Sequence, residues 1–118
     1  MDRGYPTGSS DLGRITIASD VIVQIVGHTA AECYGVDGMA GKGLKRLLSR
    51  DRLRQGIEVS SSRDGAIALD LYVVVEYGLN LAEVAATVRS RVAYEVERLT
   101  GLKVGAVEVH IQDVRRSA

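Results

Sequence analysis

The sequence predicts an α+β domain: a two-layer α/β sandwich with its elements in the order βαββαβ. Three observations predict it. Ile67 to Gly78, IALDLYVVVEYG, alternates strictly, with Ile67, Leu69, Leu71, Val73, Val75 and Tyr77 on one parity. That is the pattern of a strand with one buried face. Two other stretches, Asp20 to Tyr34 and Leu81 to Thr100, instead place apolar residues three and four apart, which makes one-sided helices. Two such helices need a sheet to cover, and 118 residues are enough for one such core.

Composition narrows the class. Lys and Arg number fifteen against fifteen Asp and Glu, so the overall field favours neither nucleic acid nor an anionic surface. The core must be aliphatic, since Trp and Phe are absent. A single cysteine, Cys33, excludes an internal disulfide and fits a reducing compartment. No apolar run is long enough for a spanning helix, and the N-terminus has no signal-type stretch. The expectation is a cytoplasmic protein with a flexible leader over residues 1–12, one domain over 13–114 and a loose tail over 115–118.

Taken in order, Arg14 to Ala18 reads as a short strand with Ile15 and Ile17 on one side. Ser19 is expected to cap the first helix, with Asp20 in its first turn. That helix turns Ile22, Ile25, Val26, Thr29, Ala30 and Cys33 to one face and His28 to the other, and Gly35 stops it. Residues 35–43, GVDGMAGKG, read as a glycine-rich loop. A phosphate-binding P-loop is excluded, because Val36 stands at the first required glycine and Gly43 at the Ser/Thr position. From Lys42 to Gln55 six basic residues, Lys42, Lys45, Arg46, Arg50, Arg52 and Arg54, face only Asp51. This segment reads either as a solvated face or as a surface for an acidic partner, anionic lipid or nucleic acid.

Ile57 to Ser62 and the Ile67 strand form a hairpin across Arg63-Asp64-Gly65. A three-residue turn with Gly65 left-handed sets Val59 opposite Leu69 and Ile57 opposite Leu71; a two-residue turn would put Val59 on the wrong face. Asn80 caps the second helix, whose stripe is Leu81, Val84, Ala85, Val88, Val92, Val96 and Leu99, and Gly101 ends it. Tyr94 lies on its far side, and Glu95 is within pairing reach of Arg91 and Arg98. The last strand, Lys103 to Val114, alternates Val107, Val109 and Ile111 against Glu108, His110 and Gln112. Ferredoxin-like topology is the first arrangement this order suggests, and other sheet orders share it.

No catalytic, cofactor-binding or metal-ligating set emerges. His28 and His110 lie on different elements without a carboxylate at metal-ligand spacing beside them. Cys33 faces the core, and the serines at 60–62 lack a nucleophile elbow. The open sheet face would carry Thr16, Asp70, Tyr72, Val74, Glu76, Glu108, His110 and Gln112. One tyrosine among three acids is wrong for stacking RNA bases, so nucleic acid would have to use the 42–54 segment. Tyr72 and Val74, as apolar groups on a polar face, are the candidate partner-binding residues.

GRITIASDVI at 13–22, GVDGMAGKGLK at 35–45, LDLYVVVEYGLNLAEVA at 69–85 and ERLTGLKVGAVEVHIQDV at 97–114 together resemble the alkaline shock protein 23 family of bacterial, mainly Gram-positive, envelope stress response proteins. Two positions depart from it: Ala82 where a proline is expected, and Asp113 where relatives often carry glycine. The resemblance implies a non-enzymatic cytoplasmic protein without cofactors. It further implies a scaffold that self-associates or binds partners, in some relatives held near the membrane by a membrane-anchored partner. Related members are implicated in envelope homeostasis and fatty-acid metabolism. The family supplies no catalytic residues to carry over.

Overall fold

The structure, a computed structural model, describes residues 7–10, 13–39, 56–61 and 64–116. In chain order these form strands β1 (Thr7–Ser10) and β2 (Gly13–Thr16), helix α1 (Ser19–Ala31), strands β3 (Val36–Met39), β4 (Ile57–Ser61) and β5 (Ile67–Glu76), helix α2 (Leu81–Thr100) and strand β6 (Val104–Arg115). The α+β class and the βαββαβ order are those expected, with two short strands added.

β5 is the central strand because both of its edges are occupied. β6 runs parallel to it from Ile67 to Glu76, while β4 and β3 follow one another, antiparallel, along the other edge. Backbone bonds divide by edge: Ile67 and Tyr77 donate to the carbonyls of Lys103 and Arg115, and Tyr72 and Glu76 donate to those of Gly56 and Gly35. A strand saturated in this way can be buried without orphaned amide groups.

The direct β5–β6 pairing departs from a ferredoxin-like sheet, where another strand separates the two parallel ones. The strand expected to take that place, β2, pairs with β1 in a separate two-stranded sheet. Ile15 on it is 63% exposed. With both edges of β5 taken, four residues carrying one large apolar side chain find no place in the main sheet. Thr7–Ser10, expected to be leader, is the partner that β2 uses instead. The glycine-rich connection also differs from its reading as loop, because Val36–Met39 pairs with Val73–Val75. Gly35 turns the chain at φ +92°, and its carbonyl accepts the Glu76 amide, which delivers Val36 beside Val75.

The β4–β5 register is the one the facing argument selects. Val59 lies opposite Leu69, Ile57 opposite Leu71 and Glu58 opposite Asp70, with Gly65 left-handed at φ +89°. Asp64 Oδ1 accepts the Ala66 amide at 3.2 Å and tightens the turn.

Both helices lie on one face of the sheet. Ile22, Val23, Val26 and Ala30 of α1 and Val84, Val88, Val92 and Val96 of α2 meet Leu69, Leu71, Val73 and Val75 of β5 in one core. Cys33 sits at 4% exposure, buried as expected although it lies just past the end of α1. α1 begins differently from the sequence reading: its N-cap is Ala18, which has no side chain to offer, and Ser19 is already helical. The helix ends at Ala31 rather than near Tyr34.

α2 has the bounds its sequence signals give. Asn80 Oδ1 accepts the Glu83 amide at 3.0 Å, and Gly101 closes the helix at φ +77°. The alanine at 82 therefore does not delay the start, since the cap supplies it. Removing the cap by Asn80→Ala is expected to cost about 1 kcal/mol, and Asn80→Asp to cost little. Urea denaturation followed by circular dichroism checks both, and equal losses in the two variants would refute the capping account.

Candidate functional site on the open face of the sheet

Even-numbered residues of β5 point away from the helices, and the site is built on them. Glu58 of β4, Asp70 of β5 and Glu108 of β6 stand opposite one another, forming a row of carboxylates across three strands. In the next row Tyr72 stands opposite His110. The His110 Nε2 atom lies 2.9 Å from Asp70 Oδ1. Its ring stacks on Tyr72, with centroids 4.4 Å apart and planes inclined by 13°. Asp70, Glu108 and His110 each bring a donor atom within 4.8 Å of the other two.

This arrangement is electrostatically one-signed. The Tyr72 phenol is held above its ordinary value, first by desolvation and then by the carboxylates of Glu58, Asp70 and Glu108. Among the described residues neither Glu58 nor Glu108 has an ion-pair partner. The face can attract a cation or a basic group, and it repels phosphate.

The residues expected here divide. Tyr72 is half-exposed, as a contact residue requires. Val74 is buried at 3% exposure, although it belongs to the outward parity. Its register partners are Gly38 on β3 and Asp113 on β6, and at that exposure it offers no surface of its own. Thr16 does not reach this face, because β2 is outside the main sheet. Gln112 falls where the β5–β6 register shifts, between the positions opposite Val73 and Val74. Lys42, Lys45, Arg46, Arg50, Arg52 and Arg54 lie outside the described residues.

Sequence reasoning places Asp70, Glu108 and His110 on one face but not beside one another. Asp70 and His110 are forty residues apart, and only the parallel β5–β6 register joins them. The same-face spacing of Glu108 and His110 is the one signal the sequence offers.

Other chemistry is weaker. Cys33 donates to the Thr29 carbonyl at 3.4 Å, and burial pushes its thiol above the ordinary value, so it stays a protonated core group. His28 is exposed in a cleft of about 440 Å³ between α1 and α2, lined also by Gln24, Glu32, Arg91, Glu95 and Arg98. There Arg98 is engaged by Glu95 at 2.8 Å. Among the described residues no nucleophile–base pair lies in this cleft. Among the described residues no helix is long and apolar enough to cross a membrane.

Residues 7–116 match the model of the alkaline shock protein 23 family, which is described as having a cell envelope-related function. The chain is 36% identical to the uncharacterized protein YloU of Bacillus subtilis (strain 168), over 87% of this chain and 89% of YloU. It is 34% identical to the uncharacterized protein Spy1614 of Streptococcus pyogenes serotype M6, over 87% of this chain and 88% of that protein. A stress response regulator gls24 homolog of Streptococcus pyogenes serotype M3 is 31% identical over 87% of this chain and 59% of its own length. No solved structure matches. The matched span runs from β1 to just past the end of β6, so it takes in the whole described fold, and the chain belongs to the alkaline shock protein 23 family, whose function is related to the cell envelope.

Proposed function

We propose that the protein is a non-catalytic scaffold in cell-envelope homeostasis and stress response, working by self-association or by binding a protein partner near the cytoplasmic membrane. The observation that carries this reading is the one-sidedness of the sandwich. Both helices cover a single sheet face, and the other presents Tyr72 among half-exposed polar groups. β6 adds a second contact surface. It is twelve residues long and among the described residues pairs only with β5, so its outer edge can accept a further strand. The family description and the name of the gls24 homolog supply the cellular setting.

Size-exclusion chromatography with light scattering, over a range of concentrations, tests the self-association arm. The wild type is expected to exceed monomer mass, and Tyr72→Glu to elute as a monomer, because it replaces the half-exposed aromatic of that face with a charge that would have to be desolvated in any contact. Monomers in both cases would remove self-association. Loss of partner co-purification in Tyr72→Glu would then carry the partner-binding arm, and its persistence would refute this face.

A further inference from the structure

We propose that Asp70, Glu108 and His110 form a surface site for a divalent transition-metal ion such as Zn²⁺. The resemblance and the family description imply no metal, and the inference stands apart from the scaffold reading. It rests on three features of the open face.

The first is donor chemistry. One imidazole nitrogen and two carboxylates make a mixed N/O set: imidazole suits zinc and its neighbours, whereas calcium and magnesium call for oxygen alone. Three protein donors with a fourth position open to solvent is a recurring zinc arrangement.

The second is geometry. Two donors bound to one zinc at about 2.1 Å each are at most about 4.2 Å apart. Asp70 Oδ1 and His110 Nε2 already lie 2.9 Å apart, and all three donor atoms lie within 4.8 Å. An exposed Glu108 side chain needs to move on the order of 1 Å to close the set. The ion would sit between the Asp70 carboxylate and the His110 ring, with the imidazole bound through Nε2 in its Nδ1–H tautomer.

The third is preorganisation. Asp70 and Glu108 are register partners on two hydrogen-bonded strands. His110, two residues beyond Glu108, shares its face, and its ring is held flat against Tyr72. Donors on paired strands keep their spacing better than donors on loops. Glu58, opposite Asp70, adds charge that draws a cation toward the triad without joining it.

Isothermal titration of the tag-free full chain with ZnCl₂, with parallel CaCl₂ and MgCl₂ arms, tests the proposal. One zinc equivalent is expected to bind, His110→Ala and Glu108→Gln each to weaken it by at least about tenfold, and His28→Ala to bind as the wild type does. Circular dichroism confirms that the variants are folded; Glu108→Gln, an isosteric change at an exposed position, keeps the test valid if His110→Ala is not. Absence of zinc binding would overturn the site. So would binding undiminished in the folded site variants, or equal affinity for magnesium or calcium.

Discussion

Leu71→Ala is expected to lower the unfolding free energy by about 3 kcal/mol, the middle of the usual range for a buried leucine truncated to alanine. Leu71 is fully buried at the middle of β5, with Ile57 opposite on one side and Val109 on the other. Ile57, Val109 and Val73 beside it are β-branched residues on three hydrogen-bonded strands, with few rotamers with which to collapse into the void. The cavity term therefore adds to the lost transfer free energy. A domain of this size has roughly 5–15 kcal/mol in total, so the variant should melt roughly 12 °C or more below the wild type. Leu99→Ala is the matched control: Leu99 is 55% exposed on α2, and its loss should stay within about 0.5 kcal/mol. Urea titrations with an unchanged slope would assign the difference to the folded state. Similar losses at the two positions would refute β5 as the centre of the core.

The parity of β5 is legible because one strand with a buried face must repeat every second residue. The hairpin register is legible for the same reason: a one-residue slip would turn Val59 outward. α2 is legible down to its end residues, since Asn80 and Gly101 supply local signals that need no tertiary partner. β3 is not. Val36–Met39 has a glycine inside it and too few residues for a period, and only the Glu76–Gly35 bond and the open end of the β5 edge make it a strand. RITIA reads as a strand and contains one, but nothing in it records that β6 takes the β5 edge and sends β2 to another sheet. Ser19 looks like a cap because it precedes Asp20, while the first helical bond, from Val21, goes to the Ala18 carbonyl.

The site follows the same division between local and long-range information. That Tyr72 faces outward follows from alternation alone. That Val74 is buried does not, since burial on the outer parity depends on what covers that face, which alternation within one strand does not record. The juxtaposition of Asp70 with His110 depends on the β5–β6 register, including its shifts at Ile67/Ala68 and Val73/Val74. Strand pairing across a twenty-residue helix leaves no mark in either strand's own pattern. The acidic row is thus a property of topology. Acids at three outward positions of separate strands would each read as an ordinary solvated residue, and they become a single field only when the strands align.

Gly35→Ala is the second large effect, expected to cost about 2–5 kcal/mol from two sources. Gly35 sits at φ +92°, a backbone region where an L side chain costs about 1–2 kcal/mol. A Cβ there would also lie 2.8 Å from Leu79 Cδ1 and 3.0 Å from Val84 Cγ2, and overpacking of this kind adds about 1–3 kcal/mol. The Leu79 methyl can rotate away. Val84 is less able to, since it is a β-branched residue in a helix with one preferred rotamer, and it is 7% exposed in the core. Gly65 separates the two sources: at φ +89° it has nearly the same backbone conformation but nothing within 4 Å of its Cβ position. Gly65→Ala should therefore show the conformational part alone, about 1–2 kcal/mol. The difference between the variants, read from urea midpoints, measures how closely the turn after α1 is pressed against the start of α2. Equal costs would mean that this contact relaxes freely and that Gly35 is required only for its φ.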